Sequence, residues 1–132
     1  GEPVALVMID LDHFKQINDR WGHRAGDTVL RGFAERAQAT LRGIDTLGRW
    51  GGEEFLLLLP DTNVESGVAA MTRLQRELTT RFFLQGSEKI LITFSAGVAQ
   101  LHDSETSADA LQRADKSMYL AKRSGKNRVM AA

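Results

Sequence analysis

The sequence predicts an α+β domain in which a central antiparallel sheet of about five strands is covered by helices. Three observations predict it. Residues 4–9 are continuously apolar, long enough for a buried strand and too short for most helices. Residues 46–50 and 55–59 read as two strands joined through Gly51 and Gly52. Further along, two stretches place apolar residues every three or four positions, and a third does so between the first strand and the glycine pair.

Taken in order, the strand over residues 4–9 is expected at the centre of the sheet, because its run offers no polar face to water. A short helix from His13 to about Arg20 follows, with Asp12 as its N-cap. Gly22 and Gly26 interrupt it before a longer helix, whose stripe is Val29, Leu30, Phe33, Ala34, Ala37 and Leu41. Gly51 and Gly52 then form a two-residue loop, since primed hairpin turns need the positive φ that glycine adopts at little steric cost. Their missing side chains would also let a bulky ligand approach the backbone. Val64, Val68, Met71, Leu74 and Leu78 mark the next helix. Residues 90–101 supply a long β-rich stretch, Leu111, Ala114, Met118 and Ala121 a final helix, and Val129 a last short strand. A hairpin in the middle of such an order suits the ferredoxin-like split arrangement. That pairing sets the end of the first strand beside the hairpin tip, so Asp10 and Glu53 are expected to converge.

Bulk properties narrow the chemistry. The 132 residues suit one domain over the whole span 1–132, with enough chain to bury a core. Seventeen basic and seventeen acidic residues cancel, which argues against a general nucleic-acid binder or a membrane-surface protein. The absence of cysteine excludes disulfides, thiolate metal sites and cysteine nucleophiles, and suits a cytoplasmic setting. No apolar run approaches a membrane span, and no signal peptide is visible. Repeats and low-complexity tracts are absent.

Carboxylates carry the clearest chemical signal. Asp10 follows six apolar residues, an unusual place for a charge without a task. Glu53 and Glu54 are expected on opposite faces of their strand, so only one should enter a given site and Glu54 should point away. Convergent carboxylates without cysteine or a spaced histidine pair suit Mg²⁺ or Mn²⁺, and such an ion would naturally hold a substrate's phosphates. Lys15 lies in a first helical turn, where backbone N–H groups and the helix dipole already favour an anion. Lys122, Arg123, Lys126 and Arg128 gather around Gly125, where cations ordinarily complement a helix end. His13, His23 and His102 lack metal-binding spacing and read as local structural residues.

With those residues in view, the chain resembles the GGDEF domains, the diguanylate cyclases, over nearly its whole length. Asp10 to Asp19, then Gly22, His23, Gly26 and Asp27, resemble the family's DxDxFKxxND and GHxxGD segment. Residues 51–55 read GGEEF, a common form of the naming motif. Residues 119–127 resemble YxAKxxGRN, with Lys126 where the family usually has arginine. The resemblance implies that Asp10, the Leu11 carbonyl and Glu53 hold Mg²⁺ or Mn²⁺ against the GTP triphosphate, and that Asn18 and Asp27 read the guanine. It also implies that Phe14, Gly51 and Gly52 line the nucleotide site, that Lys15 stabilises charge on the reacting phosphates, and that Lys122 and Lys126 contact the triphosphate. Lysine at 126 keeps the charge but loses the guanidinium's fork. Glu53 is in addition the candidate base for the ribose 3′-hydroxyl.

The reaction implied is condensation of two GTP molecules into cyclic di-GMP with release of two pyrophosphates, across a homodimer whose sites face one another. Arg42 and Asp45 form an RxxD pair, with five residues between Asp45 and Gly51, that resembles the family's product-inhibition site, with Arg73 as a further contact. By itself such a pair is also an ordinary charged turn, and Arg24 with Asp27 spells the same pattern. The alternatives are a catalytically silent GTP or cyclic di-GMP receptor, and a polymerase-like palm, which the guanine-reading pair and the short chain disfavour. The family's usual helix and DxLTxLxNRR-like segment before the first strand is not in this sequence. The chain is therefore expected to be a piece of a longer multidomain protein, mostly monomeric in isolation, with any membrane tether elsewhere.

Overall fold

The computed structural model describes residues 2–132. Its elements run β1 (Val4–Leu11), α1 (Phe14–Trp21), α2 (His23–Thr40), β2 (Thr46–Gly51), β3 (Glu54–Pro60), α3 (Val64–Thr80), β4 (Phe83–Gln85), β5 (Glu88–Ile90), β6 (Phe94–Gln100), α4 (Ser107–Arg123) and β7 (Arg128–Ala131). A five-stranded sheet has the order β2-β3-β1-β6-β7, and β4 pairs with β5 as a separate ribbon. The first strand is central as expected, antiparallel to β3 on one side and to β6 on the other. The order β2-β3-β1-β6 is that of the ferredoxin-like split. β7 departs from the antiparallel expectation, because the chain returns to β6 through α4 and a helical crossover makes the neighbours parallel.

Alternation along β1 divides the core. Ala5, Val7, Ile9 and Leu11 join a large cluster with Phe33, Leu57, Leu74 and Phe94, while Met8 faces Ala99, Ala114 and Met118. Helices α1, α2 and α3 thus cover one face and α4 the other. Each fully buried Leu or Phe contributes about 1.5–3 kcal/mol of transfer free energy. α4 begins at a capping box, in which the Thr106 hydroxyl accepts from the Asp109 N–H and the Asp109 carboxylate accepts from the Thr106 N–H. It lies almost on the β6 backbone at Gly97, where a Cβ would stand 2.0 Å from the Ala114 carbonyl oxygen. That contact fixes where the far end of α4, with Lys122, meets the end of β1.

Four local expectations need correction. Asp12 does not cap α1; His13 takes the N-cap position at φ 60° without a side-chain cap bond, and the Asp12 carboxylate turns inward. Gly26 lies inside α2, and only Gly22, at φ 90°, breaks the two helices. The hairpin turn is Gly52 with Glu53, since Gly51 already pairs with Glu54 across an irregularity in register. The β-rich stretch over residues 90–101 is split, with β5 ending at Ile90 and β6 beginning at Phe94. Among the described residues no helix is long and apolar enough to cross a membrane.

Candidate active site

The end of β1, the β2–β3 turn and the last turn of α4 meet at one place. The Leu11 N–H donates to the Glu53 carbonyl at 3.2 Å, pinning the hairpin tip to the strand end. One register step away, Asp10 lies directly opposite Glu54 on β3 and opposite Ser95 on β6. Lys122 reaches over from α4. Its Nζ lies 2.7 Å from Asp10 Oδ1 and 3.1 Å from Asp12 Oδ1, and it donates to the Leu11 carbonyl at 3.2 Å.

The two aspartates differ in kind. Asp12, 2 % exposed, accepts from the Ser95 hydroxyl at 2.7 Å, the Thr93 hydroxyl at 2.8 Å and the Asn127 N–H at 2.8 Å, besides Lys122. Burial pushes its carboxyl upward, but these donors together outweigh burial and hold it below the ordinary range. Asp10 is raised: burial dominates, the bond and charge of Lys122 oppose it, and the neighbouring Glu53 and Asp12 add to it. Glu54 is raised as well, by burial first and then by Asp10, Asp115 and Glu53.

A cleft within the roughly 300–1,000 Å³ scale typical of small-molecule sites opens beside this cluster. It measures about 520 Å³ and is lined by Asp10, Glu54, Asp115, Tyr119, Lys122 and Lys126. Glu54 therefore faces the same cleft as Asp10, because antiparallel partners share a face of the sheet; the expectation that it points away is overturned. The donors offered at the strand end are oxygens, the Asp10 carboxylate and the Leu11 carbonyl, with Glu53 adjoining, and an ammonium already rests on two of them. Such a set suits a hard divalent cation. Gly125, Lys126 and Asn127 all have positive φ, and the resulting turn delivers the Asn127 N–H to Asp12 and sets Lys126 at the rim of the cleft.

The guanine-reading candidates lie on α1 and α2. A Cβ on Gly26 would stand 1.9 Å from Asn18 Oδ1 and 3.1 Å from Phe14 Cζ, so the glycine lets both side chains sit against α2. Asn18 Oδ1 is buried without a hydrogen-bond partner, an acceptor left open for a donor. Asp27 is exposed and lines a cavity of about 670 Å³ with Leu30, Arg31, Arg49 and Phe55. The Arg49 Nε donates to the Gly52 carbonyl at 2.9 Å, which braces the glycine turn from that side. Lys15 is exposed on the first turn of α1.

A separate cleft of about 270 Å³ brings Arg42, Asp45 and Arg73 together with Asp61, Thr62 and Ser66. Arg42 holds Asp45 through two guanidinium bonds, Nε to Oδ2 at 3.2 Å and Nη2 to Oδ1 at 2.8 Å, and Nη2 also donates to the Pro60 carbonyl. Burial raises the Asp45 carboxyl, but Arg42 outweighs it and leaves the group below its usual range. Sequence reasoning missed the inward role of Asp12 and the placing of Glu54 and Asp115. Glu54 meets Asp10 through the pairing of β1 with β3, a long-range register that the hairpin itself does not fix.

Comparison with known proteins agrees with this geometry. Residues 1–128 match the family described as "Diguanylate cyclase, GGDEF domain". The chain is 38% identical over 129 residues to diguanylate cyclase A of Treponema denticola, covering 97% of this chain and 35% of that protein. It is 40% identical over 132 residues to diguanylate cyclase DgcP of Pseudomonas aeruginosa, covering 100% of this chain and 20% of that one. The chain thus spans about a third or less of these curated relatives. Among solved structures, diguanylate cyclase SiaD of Pseudomonas aeruginosa, in complex with its activator SiaC, superposes with TM-score 0.95 at 41% identity, over 100% of this chain and 51% of that one. The GGDEF domain of DgcB from Caulobacter crescentus, in complex with c-di-GMP, superposes with TM-score 0.93 at 33% identity, over 98% and 77%. Sequence motifs, sheet order and the carboxylate-bearing hairpin therefore agree, and the chain belongs to the GGDEF domain family of diguanylate cyclases.

Proposed function

We propose that this domain condenses two GTP molecules into cyclic di-GMP and two pyrophosphates. The observation that carries the reading is the convergence of the Asp10 carboxylate, the Leu11 carbonyl and the Lys122 ammonium beside the Glu53 turn, at the mouth of a cleft rimmed by Lys126. Asp10, Leu11 and Glu53 would hold Mg²⁺ or Mn²⁺, which supplies charge neutralisation at the phosphoryl oxygens and the leaving pyrophosphate. Asn18 and Asp27 orient the base from α1 and α2, Phe14 lines that side, and Gly51 and Gly52 leave room for the nucleotide at the turn. Lys15, Lys122 and Lys126 bind phosphate oxygens.

In each half-reaction a ribose 3′-oxygen bonds to the other nucleotide's α-phosphorus, the bond to pyrophosphate breaks, and Glu53 helps remove the hydroxyl proton. One domain supplies one such nucleotide site, so the productive species is a homodimer with two domains face to face, formed in the cytoplasm. Arg42, Asp45 and Arg73 bind the product in the second cleft, where an arginine fork suits a phosphate or guanine edge and a carboxylate suits guanine donors.

Incubation with GTP and Mg²⁺, with products resolved by chromatography, tests the assignment beside a Glu53→Gln control. Cyclic di-GMP from the parent and none from the control is the expected result. GTP binding without product, even after enforced dimerisation, would instead identify a nucleotide receptor. For Arg42→Ala the expectation is retained synthesis with weakened product inhibition, and unchanged inhibition would remove the second site from the proposal.

A further inference from the structure

The Lys122 ammonium has three protons and three oxygens around it, on Asp10, Asp12 and the Leu11 carbonyl. Two of those oxygens belong to the groups that would hold the divalent ion. Among the described residues, Lys122 is the cation within ion-pair range of Asp10, whose carboxylate is otherwise penalised by burial and by neighbouring acids. Asp12 is differently placed, because Ser95, Thr93 and the Asn127 N–H satisfy it without any lysine. The lysine side chain retains 21% of its exposure and borders the cleft, so its four-carbon stem can carry the ammonium away from the strand end.

We infer that Lys122 is a displaceable counter-cation of the divalent-ion site, holding the Asp10 carboxylate and Leu11 carbonyl in the nucleotide-free domain and competing there with the metal. The inference rests on the reading that these groups bind the metal. A divalent ion would approach such oxygens to about 2.0–2.1 Å, and two cations cannot both face the same lone pairs. Repulsion between a double and a single positive charge about 4 Å apart, even in a water-like dielectric, corresponds to on the order of tenfold or more in affinity. Lys122 therefore keeps the free site weak for metal. When a nucleotide arrives with its own phosphate oxygens, the ammonium has an alternative partner and the competition is relieved.

The test is titration of nucleotide-free protein with Mn²⁺ alone, following the free-ion signal by electron paramagnetic resonance. Lys122→Met, which keeps an apolar stem, and Lys122→Gln are each expected to bind Mn²⁺ on the order of tenfold more tightly than the parent. Asp10→Asn should remove the binding, and Mn²⁺ should raise the Tm of the lysine variants more than that of the parent. Equal or weaker Mn²⁺ binding by folded variants would overturn the inference. Failure of both variants to fold would overturn it too, by making the ammonium a structural pin. Cyclic di-GMP synthesis by the parent is read separately, so synthesis without tightening rejects the competition alone, and tightening without synthesis rejects the cyclase reading alone.

Discussion

The Asp12 carboxylate accepts the backbone N–H of Asn127 at 2.8 Å, joining the end of β1 to the turn after α4 across most of the chain. Ser95 and Thr93 bind the same carboxylate from the β6 side. The end of β1, the start of β6 and the turn after α4 are therefore tied to one buried acid. Asp12→Asn keeps the shape but turns an amide donor toward a site built entirely of donors. The expected loss is about 1–3 kcal/mol of unfolding free energy, read from urea denaturation at neutral pH. A change within about 0.5 kcal/mol would mean that the carboxylate is not the tie.

Gly26 separates stability from nucleotide recognition. Alanine there meets Asn18 Oδ1, the far end of a side chain that can swing away, and alanine is the better helix former. Stability should change by no more than about 1 kcal/mol, whereas displacement of Asn18 should weaken GTP binding by on the order of tenfold. Calorimetric titration with GTP beside a denaturant curve checks both. Undiminished binding would take Asn18 out of guanine recognition.

Gly97 should behave in the opposite way. An added Cβ would meet backbone, the Ala114 carbonyl at 2.0 Å and the Met118 nitrogen at 2.5 Å, and neither can rotate aside. Gly97→Ala should cost at least about 3 kcal/mol or prevent folding. A thermal melt close to that of the parent would show that α4 can lift from β6.

The pH dependence follows from Asp45, whose side chain is 4% exposed and whose pKa is lowered. A depressed native value means that the unfolded chain binds more protons over the interval between the two values. The Arg42–Asp45 contribution is thus fully present above the unfolded value of about 3.9 and is lost as pH falls through the lower native value. Because Arg42 is half exposed, solvent screening keeps this contribution small. Asp45→Asn should therefore be less stable than the parent at pH 7, with the gap closing in strong acid. A gap that widens on acidification would reverse the assignment.

Much of the fold was legible because hydrophobic periods and turn residues are local. The apolar run of β1, the stripe ending in Leu41 and the series from Val64 to Leu78 each report an element through its own spacing. β4 and β5 were not legible, since three-residue strands with exposed Leu84 and Lys89 carry almost no period. The parallel β7 depends on where α4 delivers the chain, which its four residues do not encode.

For the site, the sequence by itself determined which residue types are present and in what order: Asp10, the glycine pair, Glu53, and the lysines after Tyr119. Motif spacing carries that information because each segment is short and rigid. The meeting of the β1 end with the Glu53 turn was legible from the expected strand pairing, whereas tertiary structure decided the rest. Asp12 became a buried tie instead of a helix cap, Glu54 came to face Asp10 across the register, and Lys122 reached back to the end of β1 from more than a hundred residues away. The physical reason is that burial, cross-strand register and ion pairing are properties of distant segments brought together by a shared core, and no local pattern specifies them.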